Sequence, residues 1–214
     1  MLLYLVRHGE TDDNSRGVFL GRRDPPLNAT GQAQATALAG LLRERRIDLV
    51  ITSDLARARQ TAEHLARASG APLRQDPRLA EFDLGELDGL TSPEAHARFP
   101  EVLRRWRERP TDCRLPGGER LVDVRERMAA VFLELSVRHQ AKLEPAREQH
   151  GTDGEAGVVM VSHTFSLLTL LCYLLEIPLH KFRVFHLDTG TLSIVRHGRI
   201  GGPPNQLLLF NLAP

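Results

Sequence analysis

The chain has 214 residues, 42% hydrophobic and 26% charged, which suits a soluble globular protein with one sizeable core. A formal net charge of +1 gives no global field, which argues against nucleic acid and anionic membrane as partners. The two cysteines, Cys113 and Cys172, form no CxxC pair and the chain has no HExxH, so the expectation is a reducing, cytoplasmic setting with no structural metal and no cofactor.

A continuous apolar run, Leu2 to Val6, opens the chain and ends abruptly in Arg7-His8-Gly9. Continuity rather than alternation predicts a strand buried on both faces. The expectation is a chain start without a positively charged leader and cleavage site. Thr30 is placed to cap a helix running to Arg46, with Ala35, Leu38, Ala39 and Leu42 on one face. Asp48 to Thr52 reads as the next strand, followed by a helix capped by Ser53 or Asp54 that carries Ala56 to Ala62. Pro72 to Asp76 reads as a short strand.

Residues 82–120 are less regular and rich in Pro, Gly and Arg. Within them Ser92-Pro93-Glu94 predicts a cap followed by Pro at the first helical position. Leu121 to His139 is a long amphipathic helix, with Val124, Met128, Val131, Phe132 and Leu135 at helical spacing. Residues 140–156 read as a helix end plus an exposed loop. Gly157 to Ser162 is a further buried strand ending in His163. Phe165 to Ile177 is too short to span a bilayer and reads as a buried helix. Phe182–Leu187, Thr191–Val195 and Leu207–Leu212 are three closing strand candidates, which either pair across a homodimer or edge the sheet. The pattern predicts one α/β domain over residues 1–214, with an insertion at about 82–120 covering the site.

Three of these strands end in residues suited to phosphate. The first ends in Arg7-His8, the second leads to Arg57, and a later one ends in Ser162-His163. Strand exits converge on one edge of a parallel sheet, where open α/β folds hold their ligands. Guanidinium forks match phosphate oxygens, and a helix starting after His163 would add backbone N–H groups. The tripeptide recurs at Arg196-His197-Gly198, where a hairpin with Gly198 at the bend is the expected reading. Trp106 lies among Arg104, Arg105, Arg107 and Arg109; without a basic field this predicts a helix over the pocket rather than base stacking.

Six segments in order extend the pattern: Arg7-His8-Gly9-Glu10-Thr11 with Asn14, Leu20 to Leu27, Ser53 to Ala62, Leu79 to Gly85, Pro116-Gly117-Gly118-Glu119, and Val161-Ser162-His163. Together they resemble the histidine phosphatase superfamily, also called phosphoglycerate mutase-like. The resemblance implies a three-layer α/β/α sandwich around a mostly parallel mixed sheet. It implies His8 as nucleophile, Arg7, Arg57 and His163 as phosphoryl-binding groups, Asn14 as a further hydrogen-bond donor, and Gly21 at the substrate mouth. It implies Glu81 as the group that protonates the leaving oxygen and then activates water. Thr164 stands where the family often has Gly and joins the candidate substrate-binding residues; Leu87-Asp88-Gly89 replaces Trp-Glu-Gly, and Arg120 replaces Ser.

The chemistry agrees on physical grounds. Phosphoryl transfer spreads charge over three oxygens, so positioned cations do most of the work, and a covalent step divides one displacement into two. Neighbouring Arg charges keep an imidazole neutral and able to attack. Asp83, Glu86 and Asp88 compete with Glu81 as proton donors, and Arg22, Arg23, Arg114 and Arg120 are candidates for a second anionic group. The Glu81-Phe82-Asp83-Leu84-Gly85 form looks like the family's phosphatases, including α-ribazole phosphatase-like members. The expectation is a metal-independent phosphatase acting on a small phosphorylated metabolite. A mutase and a non-catalytic binder of phosphorylated ligands are the alternatives.

Overall fold

Strands and helices alternate as the hydrophobic pattern requires. The computed structural model describes residues 1–146, 157–198 and 204–214. Strands β1 (Leu2–Arg7), β2 (Ile47–Thr52), β3 (Leu73–Gln75), β4 (Gly157–Ser162), β5 (Leu192–Arg196) and β6 (Gln206–Leu212) form one sheet in the order β3-β2-β4-β1-β5-β6. The pairs β3–β2, β2–β4 and β4–β1 are parallel; β1–β5 and β5–β6 are antiparallel. The mixed, mostly parallel sheet is the expected one.

Successive residues of β1 serve opposite faces, because side chains alternate along a strand. Leu3 and Leu5 pack with Ile51, Val158 and Met160 against α6 (Leu121–Ala146) and α7 (Thr164–Leu174). Tyr4 and Val6 pack with Val50, Val159 and Val161 against α2 (Ala29–Leu42) and α3 (Ala56–Ser69). Each face therefore has its own apolar layer, and β4, sandwiched between β1 and β2, is buried along its whole length. A short α1 (Asp12–Ser15) follows β1, and α4 (Ser92–Arg98) and α5 (Pro100–Glu108) lie in the irregular stretch before α6.

Several expected boundaries move. Asn28, not Thr30, caps α2 by accepting from the Gly31 N–H at 2.8 Å, and α2 ends at Leu42. Thr91, not Ser92, caps α4 in a reciprocal box with Glu94, which puts Pro93 in the second helical position. Phe182–Leu187 is not a strand: Leu179–Val184 forms a 3-10 helix after Pro178. Leu179 and Phe182 are both buried, and their spacing of three is the repeat of that helix, which a strand pattern cannot register. The α6 helix continues to Ala146; the remainder of the expected loop, 147–156, lies outside the described residues. Among the described residues no helix is long and apolar enough to cross a membrane.

Candidate active site

The register of two parallel strands builds the centre of the site. Arg7 of β1 pairs with Ser162 of β4, so the next residues, His8 and His163, leave the sheet side by side. The His8 N–H donates to the Ser162 carbonyl at 3.1 Å. The ring centroids lie 4.9 Å apart, about the distance between neighbouring strands. Both rings are buried.

The bonds to His8 define its tautomer. Nδ1 lies 2.7 Å from the Gly9 carbonyl, which can only accept, so Nδ1 carries the hydrogen. Nε2 receives the Arg57 Nε–H at 3.3 Å, so Nε2 carries the lone pair. Burial, then the charges of Arg57 and Arg7, hold the His8 pKa well below the usual imidazole value. His163 is shifted the same way, by burial first and then by Arg57, and neither of its ring nitrogens has a hydrogen-bond partner among the described residues. The Gly9 N–H donates to Thr61 Oγ1 at 3.0 Å, and Thr61 in turn bonds the Arg57 carbonyl at 2.8 Å. Gly9 also packs directly on Gly31: a Cβ there would come within 2.4 Å of the Gly31 oxygen.

Arg57 enters from the first turn of α3, which follows β2. It is fully buried, and burial lowers its pKa to about 10 while Glu81, Asp24 and Asp88 oppose the shift. Its Nη1 and Nη2 donate to the carbonyls of Arg23 (2.7 Å) and Gly21 (2.8 Å). The α3 cap is not Ser53 or Asp54: Asp24 Oδ1, from a distant segment, accepts the Ala56 N–H at 2.6 Å. Ser53 Oγ accepts from Leu55. Arg7 is half-buried, donates to the Leu187 carbonyl, and has a buried Nε with no partner among the described residues.

Glu81 is buried against the start of α7. Its Oε1 accepts from the N–H groups of Phe82 (2.8 Å) and Ser166 (3.2 Å) and from Ser166 Oγ (3.4 Å); its Oε2 accepts from the Phe165 N–H at 3.2 Å. Two of the first-turn N–H groups of α7 thus serve this carboxylate, where the sequence pointed them at phosphate. Backbone anchors fix the segment: Ser162 Oγ bonds the Leu79 carbonyl, Ser166 Oγ that of Ala80, and Arg127 those of Arg78, Ala80 and Glu81. Glu119 holds the other side of the Arg127 guanidinium in a two-point pair and accepts the Asp83 N–H.

The remaining candidates are placed as follows. Asn14 is the third residue of α1, and its Oδ1 accepts from the N–H and hydroxyl of Thr11, so Nδ2 is the end that Thr11 leaves unused. Gly21 has both backbone polar groups engaged, and a Cβ there would lie 2.9 Å from the Phe82 oxygen. Its glycine is needed for close packing on the segment after Glu81. Thr164 is half-buried and opens α7 directly after His163. Trp106 of α5 stacks on Phe82 and meets Phe165 edge-on, so the irregular region docks on the residues after Glu81 and Thr164. Arg22, Arg23, Arg114 and Arg120 each pair with an acid, Glu119, Asp13 or Asp123. His197 lies at the other end of β1, where its N–H bonds the Met1 carbonyl and its ring bonds Asn205 and packs edge-on to Phe132.

Sequence reasoning did not single out Arg127, Thr61, Ser166 or Asp24, and Asp88 entered only as a rival acid. Each acts through backbone groups remote in the chain, and the one local hint was Asp24 and Thr61 lying inside matched segments.

The sequence profile of the Histidine phosphatase superfamily (branch 1) matches residues 3–208. Phosphoserine phosphatase 1 of Hydrogenobacter thermophilus is 33% identical over 193 residues, 90% of this chain and 85% of that protein. A probable phosphoglycerate mutase of Photorhabdus laumondii is 35% identical over 202 residues, 90% of this chain and 83% of that protein. The solved structure of a mycobacterial glucosyl-3-phosphoglycerate phosphatase complexed with VO3 covers 98% of both chains with a TM-score of 0.83 at 31% identity. A match over nearly the full length, with relatives above 30% identity, assigns this chain to the histidine phosphatase superfamily.

Proposed function

We propose that the protein is a phosphomonoesterase that hydrolyses a small phosphorylated metabolite through a phosphohistidine on His8. One observation carries this reading. The lone-pair nitrogen of His8 faces Arg57, beside a second buried imidazole whose two nitrogens have no partner among the described residues.

The steps follow from the bonding. His8 Nε2 attacks phosphorus while the ester P–O bond breaks, and the Nδ1–H bond to Gly9 steadies the positive charge that develops on the ring. Arg57, Arg7 and His163 stabilise the charge on the transferring oxygens, and Asn14 Nδ2 adds a donor. Glu81 gives a proton to the departing oxygen. Oε2 is its donating atom, because Oε1 holds three of the four hydrogen bonds to the carboxylate. The resulting carboxylate then takes a proton from water as the water oxygen attacks phosphorus and the Nε2–P bond breaks, releasing inorganic phosphate.

The test is phosphate release across sugar phosphates, nucleoside monophosphates and phosphoglycerates, with His8→Ala as control. Release by the parent protein and loss by roughly 10⁴-fold or more in His8→Ala is the expected result; turnover that survives His8→Ala contradicts it. Guanidinium and imidazole groups carry the electrostatics, so activity should persist in EDTA, and loss restored by added metal would count against the mechanism. The mutase-named relative favours one second reading, return of the phosphoryl group to another hydroxyl. Isomerised product in place of free phosphate, dependent on a bisphosphate primer, would select it.

A further inference from the structure

Asp88 follows the 3-10 turn Gly85–Leu87, 67 residues from the segment it grips. Its Oδ1 accepts the Gly21 N–H at 2.9 Å, and its Oδ2 accepts the N–H groups of Arg22 (2.7 Å) and Arg23 (2.9 Å). Both carboxylate oxygens are therefore engaged by backbone donors of this one segment. Two of the same residues offer their carbonyls in the opposite sense. Gly21 and Arg23 accept from the two terminal nitrogens of Arg57, whose third nitrogen donates to His8.

The 21–23 segment is thus held between an anion on its N–H side and a cation on its carbonyl side. A guanidinium is planar and its donors are fixed in a fork, so anchoring two of them sets the direction of the third. The next residue, Gly89, has a φ of +90°, and a Cβ there would lie 2.4 Å from Arg23 Nη1, so the glycine lets the Arg23 side chain cross the turn.

We infer that Asp88 is a positioning residue: by fixing the 21–23 carbonyls it aims the Arg57 guanidinium at His8 and at the oxygens transferred there. The inference rests on reading the site as a phosphoryl cradle. A mere loop staple would not need the link from Asp88 to Arg57.

Orthovanadate probes the cradle without turnover. Asp88→Asn keeps the shape but sets an amide against backbone donors. It should raise the vanadate inhibition constant about tenfold, the loss of one charge-assisted hydrogen bond, and lower kcat by more than it raises KM. Asp88→Glu keeps the charge on a longer stem and should fall between Asp88→Asn and the parent. In an Arg57→Lys background, whose ammonium cannot hold both carbonyls in a plane, either substitution should change the vanadate constant by less than about twofold, because the link is already broken. Thermal melts identify any variant that does not fold; if Asp88→Asn is one, Asp88→Glu in the two backgrounds decides. An unchanged vanadate constant in the Arg57 background, or equal fold-losses in both backgrounds, overturns the inference. A parent protein that neither turns over phosphomonoesters nor binds vanadate would instead remove the cradle reading, and this inference with it.

Discussion

His8 and His163 are placed by the two hydrogen-bonded strands that carry them, whereas Glu81 is placed by side chains from distant segments. On the imidazole side, register does the positioning: once Arg7 pairs with Ser162, the next two residues emerge together, backed by β4, which is buried throughout. On the carboxylate side no strand carries Glu81. Glu119 before α6 and Arg127 within it, and Ser162 and Ser166 around the start of α7, hold the backbone from Arg78 to Asp83. On the proposed mechanism, the nucleophile sits at the end of the stiffest element, while the group that gives and takes a proton is carried on a segment tied by hydrogen bonds.

The comparison predicts two kinds of defect. After loss of His8 itself, the largest effect is expected on the carboxylate side, from Glu81→Gln. It should slow hydrolysis of poor leaving groups by roughly 10³-fold, within the usual range for general acid–base catalysis, and slow p-nitrophenyl phosphate much less. Equal loss for both substrates would contradict its proton-transfer role. Arg57→Lys should cost roughly 10²-fold, with the same loss for good and poor leaving groups, because it acts on the phosphoryl oxygens. A leaving-group dependence in Arg57→Lys would merge the two sides that the structure keeps apart.

A smaller effect should follow from Arg127→Met. Its guanidinium satisfies three carbonyls and Glu119, so its loss should reduce turnover of poor leaving groups by about tenfold and lower stability by about 2–3 kcal/mol. If the kinetic defect were independent of the leaving group, Arg127 would not be acting through Glu81. Urea denaturation against pH tests the imidazole side. Both His pKa values are held below 6.5 in the folded protein, so the unfolded chain binds more protons at acid pH. Stability should be insensitive to these groups above pH 6.5 and should fall as the pH drops below it, by up to about 1.4 kcal/mol per pH unit for each ring. His8→Gln should reduce that slope; an unchanged slope would show that His8 is not held neutral. For the same reason the acid limb of kcat/KM should lie below pH 6.5.

The same division governs what the sequence reveals. The strand tips at Arg7-His8 and Ser162-His163, and Arg57 just after β2, are readable because an apolar run announces its strand and the chemical residue follows immediately. The two-faced core is readable as well, since continuous runs predict helices on both sides. The bonds around Glu81 are not readable, because Arg127 and Ser166 meet it, and Glu119 meets Asp83, across tens of residues and leave no local pattern. The caps of α2, α3 and α4 differ from the sequence expectation for a related reason: several Ser, Thr, Asp and Asn residues lie near each start, and for α3 the group that caps comes from another segment. The 3-10 helix at Leu179–Val184 shows the limit of periodicity over six residues.

The central claim is that a phosphoryl group resides on His8 between two displacements. The direct measurement is rapid quench of the enzyme with substrate into alkali, where phosphohistidine survives, followed by mass spectrometry of the peptide containing His8. The account predicts one added phosphoryl group on His8, lost on acid treatment and absent from His8→Ala. Rapid turnover with an unmodified His8 peptide at every quench time, or with the phosphoryl group on another residue, would contradict it.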